Sequence, residues 1–244
     1  ERFGRYSIVG LSARQVLRVN GKQIQILHDG AVVEEHRAED PLAFINGYEA
    51  RIVAAPAQED LRFVGGLVGY FGYDTVRYIE PKLAQAQKQD DLGTPDVLLL
   101  LSEEIAVVDN LSGKLTLVVY AEPGVPGAFK RAQARLKELL ARLREPVAIP
   151  AEKPATPQAA ASAFGEEAFK QAVARAKQYI VDGDIMQVVL SQRMSKPYAA
   201  TPLALYRALR TLNPSPYMFY FDFEDFHVVG ASPEILVRLE DGNV

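Results

Sequence analysis

No cysteine occurs among the 244 residues. Its absence excludes a disulfide scaffold, thiol catalysis and any thiolate metal site. Histidine is scarce: His28, His36 and His227 lie far apart with no His-x-x-x-His pair, which argues against a zinc enzyme. Long apolar runs are missing too. The longest aliphatic run, Val97-Leu98-Leu99-Leu100-Leu101, is far short of the ~20 residues a membrane helix needs. Nor is there an excess of positive charge. With 27 basic against 31 acidic side chains, a net charge of −4 and a pI near 5.5, the chain does not read as a general nucleic-acid binder. It opens on Glu1-Arg2-Phe3-Gly4, without a starting Met, an apolar signal core or transit-peptide character. The expected location is the cytoplasm, and the chain reads as a piece of something longer.

What is present is ordinary for a globular protein. The hydrophobic fraction is 48% and the charged fraction 24%, so disorder is excluded as the whole answer. The length allows one or two domains with a sizeable core. The first third reads as β. Residues 6–9 form a short apolar strand. Residues 15–19 and 23–27 flank Asn20-Gly21, a tight-hairpin dipeptide, and Asp29-Gly30 turns the chain into a strand over 31–35. Asp40-Pro41 is an N-cap and first-turn pair, and Leu42, Ile45, Tyr48 and Ile52 recur at helical spacing, which predicts a helix over 41–54. Strands are predicted at 67–73, over 97–108 as one long element, and at 114–120. Residues 127–144 carry the clearest helical stripe, Phe129, Ala132, Leu136, Leu139, Leu140 and Leu143. The basic residues outside that stripe read as a solvated face.

Residues 145–163, EPVAIPAEKPATPQAAASA, hold four prolines among small residues with no apolar period, the composition of a semi-extended linker. They separate an N-terminal domain, 1–144, from a C-terminal unit, 164–244. The second unit starts with a helix over 165–181. Residues 186–194 alternate as a strand, placing Gln187, Val189 and Ser191 on one face. Thr201-Pro202 caps a helix with Leu205, Leu209 and Leu212 inward, stopped by Asn213-Pro214. A hairpin is predicted from 216–223 and 226–230, then a third strand at 235–239 and a turn at Asp241-Gly242-Asn243. That turn has no returning strand, so the second domain is expected to continue beyond Val244.

Taken singly, the candidate motifs carry two readings each. In GGLVGYFGY (65–73) Leu67 stands where a dinucleotide fingerprint needs its second glycine, and there is no Lys-Ser/Thr. Close backbone packing in a strand is the simpler reading. Asp74, Arg77 and Glu80 stand at one-turn ion-pair spacing. The Gln187 face lines something polar or faces solvent. Pro216, Tyr217 and Met218 follow a doubly prolyl loop and suit either a flat apolar ligand or the core. Glu234, after Ser232-Pro233, would ordinarily be a surface carboxylate.

Taken in order they are specific. GGLVGYFGYDTVRYIE, FKQAVARAKQYIVDGDIMQVVLSQR, NPSPYMFYFDF and VVGASPE together resemble the anthranilate synthase large subunits of the chorismate-utilising enzyme family, over essentially the whole chain. The resemblance implies an N-terminal domain followed by the first part of a chorismate-binding catalytic domain. It implies conversion of chorismate and ammonia to anthranilate and pyruvate, the first step of tryptophan biosynthesis, with Mg²⁺ as cofactor and a glutaminase subunit as ammonia source. It implies L-tryptophan as feedback inhibitor, bound by Pro216, Tyr217 and Met218; Arg5 is not assigned to that pocket. Gln187 matches the position where water-using relatives carry a lysine base, and Glu234 matches an active-site glutamate. The Mg²⁺ ligands are expected outside this chain, with no metal ligand within it, and the 244 residues alone are expected to be inactive. The implied fold is α+β, with layered antiparallel sheets flanked by helices; the long alternating strands and hairpins support the antiparallel pairing. Aminodeoxychorismate synthase, which keeps the pyruvate, a phenazine-type amino-chorismate enzyme and a stand-alone ligand-binding module remain as alternatives.

Overall fold

The computed structural model describes residues 4–55, 61, 63–85, 90–147, 158–239 and 242–244. The chain divides into two compact units, Glu1–Val147 and Ala148–Val244. Most of the expected linker lies outside the described residues.

The first unit runs β1 (Tyr6–Gly10), β2 (Gln15–Asn20), β3 (Gln23–His28), β4 (Ala31–Arg37), α1 (Pro41–Glu49), β5 (Gly66–Phe71), a 3-10 turn at Tyr73–Thr75, α2 (Val76–Ile79), α3 (Pro81–Ala84), β6 (Val97–Ser102), β7 (Glu104–Asp109), β8 (Lys114–Val119) and α4 (Ala128–Arg142). A five-stranded sheet has the order β4-β3-β2-β6-β5 and a three-stranded sheet the order β1-β7-β8. All pairings in both are antiparallel. Gly21 at φ +56°, and Asp29 and Gly30 at +49° and +79°, supply the left-handed residues of the two hairpin turns. The Asp40 side chain caps α1 by accepting from the Ala43 N–H at 3.0 Å. Leu17, Val19, Ile24, Ile26, Val97 and Leu99 of the large sheet bury against Ile45 and Tyr48 of α1 and form the core.

Two predicted elements of this unit differ from the structure. The helix ends at Glu49, short of residue 54, because Arg51 and Ile52 bond the carbonyls three residues back, at Tyr48 and Glu49, and the chain leaves the helical ladder there. Residues 97–108 are not one strand. The chain changes sheets at Glu103: β6 pairs with β2 and β5, whereas β7 pairs with β1 and β8. Apolar patterning continues through the break because both sheets bury apolar side chains.

The second unit runs β9 (Ala161–Ser162), α5 (Glu166–Val181), β10 (Met194–Ser195), α6 (Pro202–Leu212), β11 (Tyr217–Asp222) and β12 (His227–Ser232). β9 pairs with β10 and β11 with β12, giving two two-stranded sheets. Thr201 caps α6 through Ala204 N–H at 3.2 Å, and the Tyr206 ring meets Tyr220 edge-on at 6.1 Å, which seats α6 on the hairpin. The strands predicted at 186–194 and 235–239 do not form; of the first only its last residue, Met194, is paired, within β10. Nor do Leu205 and Leu212 turn inward. Both are exposed, and Leu209 is half-buried. One cause accounts for all of these. A strand needs a neighbour to complete its ladder and a surface to bury its apolar face. Among the described residues, only Phe223 of this unit is a buried apolar side chain, so Met186 at 96% exposure and Leu236 at 99% have nothing to pack against. The turn predicted at 241–243 falls partly on residues outside the described set.

Asp109 shows how local charge pins the smaller sheet. Its carboxylate accepts from the Arg5 guanidinium at 2.9 Å and from Leu111 N–H at 2.9 Å, and β1 faces β7 between them. The Arg5 hydrogen bond, helped by the Leu111 and Ser112 N–H groups, holds the carboxyl well below the usual carboxylate range. The folded state lowers this pKa, so the unfolded chain binds more protons between the two values. The contribution is fully present above the ordinary carboxylate pKa and is lost as pH falls toward the folded value. Asp109→Asn is expected to flatten the fall of stability between roughly pH 4 and pH 2, measured as denaturant midpoints across that range. An unchanged slope would mean that the pair contributes nothing there.

Candidate active-site and inhibitor segments

Gln187 follows α5. That helix ends in a left-handed Gly183 at φ +80°, with Gly183 N–H bonded to Ile180 O at 3.2 Å and Asp184 N–H to Tyr179 O at 2.9 Å. This is the 5→2 and 6→1 pair of a Schellman end, and the Gln178 amide bonds Asp182 at 2.7 Å beside it. At the far end of the segment, Gln192 Oε1 accepts from the Ser162 hydroxyl at 2.9 Å, and Ala163 N–H bonds Arg193 O at 2.9 Å. Residues 184–193 are thus held at both ends, and Gln187 lies between with its side chain exposed. The predicted polar strand face is not realised there, because no neighbouring strand imposes the pleat.

Pro216, Tyr217 and Met218 enter β11, and Glu234 leaves β12. The ladder brings these two motifs together: Tyr217 stands opposite Ser232 and Met218 opposite Ala231. Tyr217 is exposed, Met218 half-buried and Glu234 exposed. Phe219 stands opposite Gly230, and a Cβ there would lie 2.2 Å from the ring's Cζ, so the glycine leaves room for the aromatic ring to lie across the hairpin. At the other end His227 Nε2 meets Asp222 Oδ1 at 3.2 Å. Burial, then the Asp222 charge, pushes the Tyr220 phenol up. No strand pairing among the described residues joins Gln187 to this hairpin.

The glycine-rich motif of the first unit is structural. Asp96 Oδ2 accepts from Gly21 N–H at 2.7 Å and from Tyr78 O–H at 2.8 Å, and Gly72 N–H bonds Asp96 O at 2.7 Å. One aspartate therefore fastens the β2–β3 turn, the end of β5 and α2. Burial, helped by that carboxylate, pushes the Tyr78 phenol up. Arg77 pairs with Asp74 at 3.2 Å. Arg5 is committed to Asp109.

Two residues that sequence reasoning quoted without singling out are Ser215 and Ser232. Ser215 is 8% exposed. Its hydroxyl donates to Ser232 O and accepts from Tyr217 N–H at 3.3 Å, while the Ser232 hydroxyl donates to Glu234 O at 2.8 Å. The available signal was a serine set between two prolines, where side-chain donors must stand in for missing N–H groups. Among the described residues no cluster of three or more His, Cys, Asp or Glu side chains could hold a metal ion. No helix among them is long and apolar enough to cross a membrane.

Each unit combines helices with antiparallel sheets, an α+β architecture. The sequence profile of the chorismate binding enzyme family matches residues 3–244, and the chain belongs to that family. It is 52% identical to anthranilate synthase component 1 of Neisseria meningitidis serogroup B over 100% of this chain and 50% of that protein. It is 51% identical to anthranilate synthase component 1 of Pseudomonas aeruginosa, over 100% of this chain and 51% of that one. The crystal structure of anthranilate synthase component I from Streptococcus pneumoniae superposes with a TM-score of 0.78 at 28% identity, covering 98% of this chain and 52% of that one. The chain spans about half the length of the curated relatives it matches.

Proposed function

We propose that this chain is part of an anthranilate synthase large subunit, which converts chorismate and ammonia to anthranilate and pyruvate in the cytoplasm. Identity above one half to relatives of that name, sustained over the whole chain, carries the reading. In the full-length chain ammonia from a glutaminase partner adds to the ring, the ring hydroxyl departs, and pyruvate is eliminated to leave the aromatic product. Neutral ammonia is nucleophilic enough to attack without first losing a proton, so the site needs no base of the kind that water requires. An amide at Gln187, unable to serve as that base, suits amination. Glu234 is assigned to positioning or proton handling.

Tryptophan is proposed to bind at Pro216, Tyr217 and Met218 as feedback inhibitor. Magnesium, which the resemblance assigns to the reaction, requires near-octahedral oxygen ligation. At the open end of the hairpin, beside Tyr217 and Ser232, the described residues of this chain offer a single carboxylate, Glu234; Asp222, Glu224 and Asp225 lie at the opposite end. These residues do not fit the ion, no step is routed through it here, and its ligands are assigned to the part of the relatives' length outside this chain. The exposed apolar stretches at 186–190 and 235–239 would be covered by that same part.

The test is the full-length chain with chorismate, Mg²⁺ and ammonium salt, followed by anthranilate fluorescence with and without tryptophan. Fluorescence suppressed by tryptophan is the expected result. Chorismate loss without anthranilate would replace this reading with an amino-chorismate synthase, and no chorismate loss would remove the enzymatic reading.

A further inference from the structure

We propose that Ser215 is a positioning residue that couples the inhibitor segment to Glu234 through Ser232. The proposal rests on the reading of residues 216–218 as the tryptophan site and of Glu234 as an active-site residue.

The β11–β12 ladder reaches its open end at Tyr217 opposite Ser232. The next residue outward on each strand is a proline, Pro216 on one and Pro233 on the other. The two prolines face each other at a non-hydrogen-bonded position, and Tyr217–Ser232 is the last hydrogen-bonded pair of the ladder. Beyond that pair the Ser215 hydroxyl adds a side-chain bond across the two strands. It is buried, it donates to the Ser232 carbonyl, and it accepts from Tyr217 N–H at 3.3 Å. The Ser232 hydroxyl then donates to the Glu234 carbonyl at 2.8 Å. Two side-chain hydroxyls therefore join the Tyr217 backbone to the Glu234 backbone, alongside the ladder pair Tyr217–Ser232.

The path gives each segment a stake in the other's position. A ligand that pulls on Tyr217 moves the group that Ser215 must satisfy. Ser215 holds the carbonyl of Ser232, and Ser232 fixes the backbone from which Glu234 projects. Inhibitor occupancy is thereby turned into a displacement of Glu234, without contact between the inhibitor and the carboxylate. Ser102, the other buried polar side chain among the described residues, lies in the first unit and joins no such path.

The decisive measurement separates binding from its consequence. In the full-length chain, tryptophan affinity is measured by calorimetry, and tryptophan's effect on anthranilate turnover is measured in parallel. Ser215→Ala is expected to bind tryptophan within about threefold of the parent while the inhibitory coupling falls about tenfold or more. Ser215→Thr keeps the hydroxyl and is expected to restore coupling. Ser232→Ala cuts only the second link, keeps the backbone carbonyl that Ser215 uses, and is expected to uncouple in the same way; it carries the test if Ser215→Ala does not fold.

Binding and inhibition weakening in step would return Ser215 to a purely structural role and overturn the proposal. Inhibition unchanged in both alanine variants would overturn it too. Tyr217→Ala separates this failure from failure of the underlying reading. If the parent is inhibited but Tyr217→Ala and Met218→Ala bind tryptophan normally, the inhibitor site lies elsewhere and both readings fall.

Discussion

Replacing Gly69 with alanine is expected to lower the thermal midpoint of the chain by roughly 5–10 °C. The added Cβ would lie 1.9 Å from Leu98 O, 2.9 Å from Leu98 C and 3.0 Å from Leu99 Cα. All three are backbone atoms of β6 and cannot rotate away as a side-chain tip would. β5 must therefore lift off β6, over a ladder that runs from Gly66 opposite Ser102 to Phe71 opposite Val97. Inserting a methyl into closed packing costs about 1–3 kcal/mol and occasionally more, and in a unit of this size each kcal/mol moves the midpoint by about 2–4 °C. Gly47 is the control. It lies inside α1 with nothing within 4 Å of an added Cβ. Gly47→Ala is expected to raise the midpoint by a few degrees, because alanine loses less backbone entropy than glycine in a helix. Circular dichroism melts of both variants decide the matter. A Gly69→Ala chain melting with the parent would mean that β5 and β6 do not approach as closely as described.

That close approach was legible in the sequence, where GGLVGYFGY read as close packing in a strand. The hairpins were legible for a similar reason: Asn20-Gly21 and Asp29-Gly30 announce positive φ locally, and the alternation on either side sets the register. α1 announced its start at Asp40-Pro41. The errors share a different origin. Residues 97–108 look uniform because Val97–Ser102 and Glu104–Asp109 both bury apolar side chains, and no local signal tells one sheet from another. Residues 186–194 alternate like a strand, yet alternation states only which face could be buried. Whether a neighbour exists to bury it is a tertiary fact. The candidate residues 216–218 and Glu234 stood in the sequence as two separate motifs; the register that puts Tyr217 opposite Ser232 needed the fold. That the Ser215 hydroxyl meets the Ser232 carbonyl likewise depends on the ladder, which brings residues 17 apart in sequence together.

The largest functional effect is expected at Gln187. In the full-length chain Gln187→Lys should lower ammonium-dependent anthranilate formation by about tenfold or more, the scale on which a placed acid or base changes a reaction rate. Two consequences of the substitution act in the same direction. If position 187 faces the reacting ring, as proposed, a protonated lysine puts positive charge on the route of the incoming ammonia. A neutral lysine offers the base that water lacks, so hydration competes with amination at the same ring carbon. A hydroxylated product is therefore expected to appear as anthranilate declines, and product analysis separates this outcome from simple loss of fold. The size of the effect is what discriminates. Gln187 is exposed in this chain, between the Schellman end at Gly183 and the anchor at Gln192. Exchange of an ordinary exposed side chain stays within about 0.5 kcal/mol, less than a threefold change in rate. A drop of tenfold with a new hydroxylated product requires the amide to face the reacting ring. A variant that keeps the parent's rate and product would return Gln187 to the solvent face, and the choice between ammonia and water would then have to be made by residues outside this chain.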